Sequence, residues 1–369
     1  MGPLSGCRVV EFAGLAPAPY AAMLLADLGA EVVRIDRPGT GPGNPIVNRS
    51  RLANITVDLK DESARNAVLA LIDEADVLIE PFRPGVMERL GLGPEVLLAR
   101  NPKLVFARLT GWGQEGPLAN RAGHDVNYLA VSGTLRHLVW RSQPVPYPPL
   151  NLLADFAGGG LFTAFGIVSA LYEAQRSGQG QVVDGAMIDG SASLISYIRG
   201  MRVQGRASNI PGESFLDGAI HHYNVYETAD GHYLSVGPIE RQFQAIFAEK
   251  LGLNIDDLPG QYDIPQDDVI DNVRTIIKTK TRDEWAAIFE GTDACVFPVL
   301  SMDEAATHSH NVARGTFVEV NGIVQHAPGP RFSRTQPDLP TPVKTAGEGV
   351  ADLVERWGIG AEHANALGA

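Results

Sequence analysis

The residues of this chain that are equipped for chemistry fall into two groups, cations in loops and a few groups able to exchange a proton near neutrality. Arg34, Arg37, Arg49, Arg51, Arg83 and Arg89, with Lys60, stand in the first hundred residues of a protein of formal charge −13, with 30 Lys and Arg against 43 Asp and Glu. Guanidinium forks match phosphate oxygens bidentately, so these positions form a candidate anion cradle. The plain alternative is that cations are scattered over any protein surface. His124 sits in the glycine-rich stretch Gly123-His124-Asp125. With an ordinary pKa of about 6.5, an imidazole both accepts and donates at neutral pH. Asp155 follows in Asn151-Leu152-Leu153-Ala154-Asp155-Phe156. It joins this chemistry only where partial burial raises its pKa from about 4 toward neutrality. Each has a structural alternative: a hydrogen-bonded loop histidine, and an aspartate just ahead of a helix acting as an ordinary N-cap worth about 1 kcal/mol.

The elements that position these groups show in the hydrophobic patterning. Short β-rich runs at Cys7–Phe12, Glu31–Ile35, Val77–Ile79 and Leu104–Phe106 alternate with helical apolar spacing at Tyr20–Leu28, Glu62–Glu74 and Gly93–Ala99. Strands alternating with helices predict an α/β fold whose large domain is a doubly wound, Rossmann-like parallel sheet with right-handed crossovers. From Thr110 to Ala154 the chain is rich in Gly, Pro, Asn and Trp without sustained periodicity. A loop of that length in a compact domain is usually functional, and His124 lies in it. A helix from about Gly159 to Arg176, a strand at Val182-Val183 and a helix from about Ile188 to Met201 follow. Beyond Ala207, Tyr223–Thr228 and Tyr233–Val236 flank Ala229-Asp230-Gly231 as a hairpin, and helices near Arg241–Leu251 and Arg282–Glu290 complete a smaller α+β domain. The expected division is a large domain over 1–214, a small one over 215–325, and a segment 326–369, with a helix at Val350–Trp357, returning to the large domain.

Composition narrows the function classes. At 369 residues the chain is long enough for two cores, and 44% hydrophobic with 20% charged residues is an ordinary globular balance. The acidic charge argues against a nucleic-acid partner, which needs a basic footprint. Cys7 and Cys295 stand far apart without metal-ligand spacing, so neither a disulfide framework, nor a metal site, is expected, and a reducing cytoplasm fits. The apolar stretch Ala16–Leu25 is too short to span a bilayer and has no cationic leader, so no signal peptide or membrane anchor is expected. The first β-α-β unit invites a dinucleotide reading with Asp36 on the ribose. Gly14-Leu15-Ala16-Pro17-Ala18-Pro19 is not G-x-G-x-x-G, however, and its two prolines remove backbone donors that a pyrophosphate would need.

Pro3-Leu4-Ser5-Gly6, the run Leu25-Ala26-Asp27-Leu28-Gly29-Ala30-Glu31-Val32-Val33-Arg34-Ile35-Asp36-Arg37-Pro38, and Arg83-Pro84-Gly85 resemble the family III CoA-transferase superfamily, over residues 3 to 335. Thr110-Gly111-Trp112-Gly113-Gln114, Gly123-His124-Asp125-Val126-Asn127-Tyr128, Asn151-Leu152-Leu153-Ala154-Asp155-Phe156 and Asp293-Ala294-Cys295-Val296 look like its alpha-methylacyl-CoA racemase branch. The Gly-His-Asp segment discriminates most, because transferase members carry a Gly-Tyr-Asp-like segment there.

The resemblance implies an isomerase that interconverts (2R)- and (2S)-2-methylacyl-CoA thioesters through an enolate. Inversion needs a base on one face of the planar enolate and an acid on the other. The resemblance implies His124 and Asp155 in those roles, with Glu240 paired to the histidine. Glu240, two residues after Pro238, also reads as an acid complementing a helix dipole. CoA is then part of the substrate rather than a separate cofactor. It is expected on the large domain at Arg37, Val57, Asp58, Leu59, Lys60, Pro81, Phe82, Arg83, Arg89, Gly123, Asp125 and Tyr128. The family also implies interlocked homodimers, with active sites between the large domain of one subunit and the small domain of the other. Met187 and Met201 fall on the expected acyl-site helix, but Tyr197 and Arg199 stand among them, which leaves room for a polar, short or aryl acyl group. Two other readings stay open: a CoA-transferase with Asp155 as nucleophile, and a non-catalytic acyl-CoA binding protein.

Overall fold

The computed structural model describes residues 2–141 and 145–368, so within the 110–154 stretch Ser142, Gln143 and Pro144 lie outside the described residues. Strands β1 (Arg8–Phe12), β2 (Glu31–Asp36), β3 (Ala53–Thr56), β4 (Val77–Glu80), β5 (Val105–Thr110) and β6 (Val182–Ala186) form one sheet in the order β3-β2-β1-β4-β5-β6. Every pairing in it is parallel. This is the doubly wound order, in which the winding reverses beside β1 and opens a crevice at the carboxyl ends of β1 and β4. Strands β4 and β5 are buried along their whole length, which is why they read as continuous apolar runs rather than alternating ones.

On one face of the sheet, Val10, Phe12, Val33 and Ile55 pack against Val68, Leu71 and Ile72 of helix Glu62–Asp73 and against Leu353 and Trp357 of helix Val350–Trp357. Helix Glu62–Asp73 starts where Asp61 accepts the N–H of Ala64, and its apolar residues at 64, 67, 68, 71 and 72 form a single buried stripe. Helix Phe162–Ser177 packs against β5, β6 and helix Pro17–Asp27. The helix expected from Gly159 begins earlier than its spacing suggested, as a π-helix over Leu152–Leu161 that runs straight into Phe162–Ser177. Asp155 therefore lies inside a helix rather than ahead of one, and the N-cap position belongs to Asn151. By length and composition Leu152–Ser177 would also pass as a membrane span. Here its glycine face is wedged into the α/β layers: a Cβ on Gly158 would lie 2.8 Å from the Ser191 nitrogen, and one on Gly160 would lie 2.8 Å from the Pro17 carbonyl oxygen.

The helix expected over Ile188–Met201 is two, Met187–Leu194 and Ser196–Val203, divided at Ile195. That break is also a boundary between compact units. One unit comprises Met1–Ser132, Pro149–Leu194 and Ser309–Ala369, and the other comprises Gly133–Pro148 and Ile195–His308. The division differs from one drawn after 214 and 325, because compactness follows long-range packing rather than a change of local pattern. The second unit holds an antiparallel sheet of β7 (Asn224–Glu227), β8 (Tyr233–Val236) and β9 (Val296–Pro298). The β7–β8 pair is the hairpin read at Asp230-Gly231. Its core is Tyr226, Leu234, Phe247, Val273, Ile277 and Trp285. The hairpin β10 (Phe317–Val320) and β11 (Ile323–His326) belongs to the first unit, where the Arg49 guanidinium donates to Gln325 Oε1 at 2.7 Å and to the His326 carbonyl at 2.8 Å.

Candidate active site

Two cavities lie side by side at the switch point of the first unit and share Ala13, Gly14, Leu15 and Phe82. The first, of about 470 Å³, is lined by Pro81–Pro84, Thr110–Trp112, Arg121, Gly123, His124, Tyr128, Asp155 and Met187. The second, of about 670 Å³, is lined by Asp36, Arg37, Thr40, Val57–Lys60 and Leu90. A further hollow of about 700 Å³ is lined by Pro3–Cys7, Asp76, Lys103 and one face of helix Phe162–Ser177. Residues at the amino ends of the strands line that hollow, and neither His124 nor Asp155 does.

His124 is the residue before helix Asp125–Ser132. Its N–H donates to Asn127 Oδ1 at 3.0 Å and its carbonyl accepts from the N–H of Asn127 at 2.8 Å, so the backbone is held while the imidazole stays exposed to the cleft. Asp155 is half-buried, and its carboxyl pKa is raised, first by burial and then by the charge of Asp125. A hydrogen bond from Asn151 and the nearby His124 oppose the rise. A carboxyl displaced in this direction is populated in both protonation states nearer neutrality, as proton exchange requires.

Asp125 is 5% exposed, and its Oδ2 accepts the N–H groups of both Ala154 and Asp155 at 2.8 Å. The Tyr128 hydroxyl donates to the Gly123 carbonyl at 2.5 Å, and its ring meets Trp112 edge-on at 4.8 Å. Burial and the Asp155 charge push that phenol up to about 12, so it stays neutral in the working pH range. Gly123 has no room for a side chain, since a Cβ would lie 2.7 Å from Tyr128 Cε1.

The expected cation set divides. Arg37 and Lys60 are exposed on the second cavity and Arg83 on the first, all three available to an anion, while Arg89 lines neither cavity. Arg49 and Arg51 leave the candidate cradle, because they are buried in ion pairs, whereas Arg34, also ion-paired and 5% exposed, still lines the second cavity. Arg34 binds Asp36 at 2.7 Å, Arg51 binds Glu11 at 2.7 Å, and Arg49 forks onto Asp27. Behind Pro81–Arg83, buried Glu80 accepts from Phe82 N–H at 2.7 Å and from Arg108 Nε at 2.8 Å, and Arg108 also holds Glu88. Burial pushes the Glu80 carboxyl up to about 7. Glu240 lies in the second unit as the residue before helix Arg241–Leu251, exposed and without a capping bond from its side chain.

Sequence reasoning left out Leu15, Trp112 and Arg121 as lining of the first cavity, whereas Met187, read on the expected acyl-site helix, does line it. A signal was present for Leu15. It stands in the loop after β1, at the point where a doubly wound sheet binds ligands, although that loop was used only as evidence against a dinucleotide.

The sequence pattern described as CoA-transferase family III matches residues 4–347. The chain is 45% identical over 365 residues to the alpha-methylacyl-CoA racemase of Mus musculus, covering 97% of this chain and 94% of that protein. It is 43% identical over 363 residues to the alpha-methylacyl-CoA racemase of Homo sapiens, with the same coverages of 97% and 94%. The crystal structure of a CAIB/BAIF family protein from Brucella suis superposes with a TM-score of 0.82 at 24% identity, covering 96% of this chain and 99% of that one, a likeness of fold.

Proposed function

The chain belongs to CoA-transferase family III, and we propose that within it this protein is a racemase of 2-methylacyl-CoA thioesters, acting by proton transfer between two bases. The observation that carries the reading is the placement of His124 and Asp155 on one cleft, with the carboxyl shifted toward the protonated form. One of the two removes the proton from C2, and the C–H electron pair moves into the bond to the carbonyl carbon as the carbonyl oxygen becomes an enolate oxygen. The other returns a proton to the opposite face, which re-forms the carbonyl and inverts the centre. The identity at nearly full length to racemases of mouse and human supports the same assignment.

The adjoining cavities suit a substrate made of a nucleotide and a long thiol arm. Arg37 and Lys60 on the second cavity are positioned for phosphates, and the first cavity receives the thioester end. Asp125 is assigned a different role from the CoA contact expected of it, because its side chain is buried, lines neither cavity and binds two backbone N–H groups through Oδ2. We assign a homodimer as well. In support of it, helix Phe162–Ser177 presents Phe165 at 70% and Tyr172 at 64% exposure, an apolar face of the kind that marks an interface. Glu240 is retained as the acid that serves the histidine.

The test is deuterium incorporation at C2 of one enantiomer of a 2-methylacyl-CoA in heavy water, with no acceptor acid present. Exchange with loss of optical purity is expected, reduced about 10²–10⁴-fold in His124→Ala and in Asp155→Ala. No exchange, with CoA passed to an added carboxylic acid, would make Asp155 a nucleophile and the protein a transferase. Binding of CoA with neither reaction would leave a non-catalytic acyl-CoA binding protein.

A further inference from the structure

We propose that Asp125 is a positioning residue of this site: its carboxylate clamps the backbone N–H groups of Ala154 and Asp155 and thereby holds the Asp155 carboxyl in register with His124. The proposal rests on the racemase reading. Both hydrogen bonds are 2.8 Å and both fall on the same oxygen, Oδ2. The chain separations are 29 and 30 residues, so the clamp joins two distant segments, the one that carries His124 and the π-helix that carries Asp155. His124 precedes Asp125 directly, and its backbone is fixed by Asn127. One buried side chain thus ties the backbone of one base to that of the other.

Asp125 is a costly residue to keep at this place. It is 5% exposed, and its second oxygen, Oδ1, is buried without a hydrogen-bond partner among the described residues. A buried carboxylate oxygen left unpaired opposes folding, so its retention calls for a compensating role. The N–H groups it binds are those at the head of a helix, whose partial positive charge would otherwise stabilise Asp155 as an anion and make it too weak a base. Asp125 neutralises that field and adds its own negative charge, which acts on the Asp155 carboxyl in the same direction as burial does. The side chain does not line the cleft, so its contribution passes through Asp155 and not through substrate contact.

The other titratable groups around Asp155 do not replace it. His124 and Tyr128 come from the same segment as Asp125, with Arg83 close to Tyr128. Of the elements packed on the π-helix, helix Pro17–Asp27 carries Tyr20 and Asp27, the latter bound to Arg49, and helix Met187–Leu194 carries Asp189. Arg108 of β5 is bound to Glu80 and Glu88, and Asp184 of β6 accepts the N–H of Gln114.

The experiment compares C2 proton exchange of Asp125→Asn, Asp125→Glu and Asp155→Asn with the unaltered protein, as kcat and KM across pH. In Asp125→Asn, kcat is expected to fall about 10²-fold, the usual loss for a catalytic group displaced by about 1 Å. KM should hold, and the acid limb of the kcat/KM profile should move to lower pH as Asp155 loses its negative neighbour. Asp125→Glu restores the charge but not the distance, so its acid limb stays near that of the unaltered protein while kcat remains low. An unshifted profile with unaltered kcat in Asp125→Asn overturns the proposal, as does a rise in KM alone. Where Asp125→Asn does not fold, amide hydrogen exchange of the unaltered protein decides: protection at Ala154 and Asp155 upholds the clamp, and exchange at the rate of free amides refutes it. Asp155→Asn separates the two layers of the argument. Exchange surviving there removes the two-base reading itself, whereas its loss there beside an unaffected Asp125→Asn removes only the positioning role.

Discussion

Gly190→Ala tests whether the close approach of two helices sets the position of Asp155. Gly190 lies in helix Met187–Leu194, and an ideal Cβ there would stand 1.8 Å from the Gly158 carbonyl oxygen, 2.5 Å from its carbon and 2.6 Å from its Cα, all backbone atoms. Real Cβ atoms essentially never come closer than 3.0 Å, so the oxygen contact alone demands that the two helices separate by about 1.2 Å. Alanine is a better helix former than glycine by about 1 kcal/mol, which by itself predicts a more stable protein. Overpacking a filled interface costs about 1–3 kcal/mol and more where only backbone can yield, so the clash wins. The helix pushed away carries Asp155, and a displacement of about 1 Å at a reacting group costs about 10²-fold in rate. Urea unfolding should therefore show a loss of about 1–2 kcal/mol, and C2 exchange should fall by about two orders of magnitude. Gly200→Ala is the control: Gly200 is helical with nothing within 4 Å of its Cβ, so it should gain up to about 1 kcal/mol. A Gly190→Ala protein as stable as its parent and fully active would refute the packing argument.

Arg49→Ala strips the partner from Asp27, which is 5% exposed, and should cost about 3–5 kcal/mol by chemical denaturation. Arg49→Lys should recover little of it, because one ammonium does not reproduce the fork onto Asp27 with the bonds to Gln325 and the His326 carbonyl. Glu80 supplies a pH signature. Its carboxyl lies at about 7 in the fold against an ordinary 4.5, so the folded state holds a proton that the unfolded chain has released. Its contribution is complete below about pH 4.5 and is lost as pH rises to about 7, a fall on the order of 3 kcal/mol. Denaturation of Glu80→Gln across pH 4–8 should lack that fall, and an identical slope in both proteins would exclude Glu80 as its source.

Much of the large unit was legible because a strand covered on both faces needs a continuous run of β-branched and aliphatic residues, as in Val77-Leu78-Ile79. Strand β3 was not, since Ala53–Thr56 is four residues long with Asn54 in the middle. Asn54 is placed by bonds to the distant carbonyls of Lys344 and Glu348. The break at Ile195 and the early start of the helix at Leu152 were equally hidden, because apolar spacing continues across both. Arginine carries the same signal whether it faces a phosphate or a buried carboxylate. Arg49 and Arg51 therefore read as anion ligands until Asp27 and Glu11, 22 and 40 residues away, were seen to meet them.

What the sequence by itself determined is the inventory: the alternation of strands and helices, and the residue types capable of moving a proton or holding a phosphate. Those follow from local stereochemistry and from side-chain chemistry that travels with each residue. Tertiary structure decided which of those groups share a cavity, which are spent on one another, and how far each is withdrawn from water. His124 and Asp155 line one cleft, while Asp125, beside His124 in sequence, turns away to bind the backbone of Asp155. Hydrogen-bond pairing and desolvation depend on neighbours brought in from elsewhere along the chain, and no local pattern encodes them.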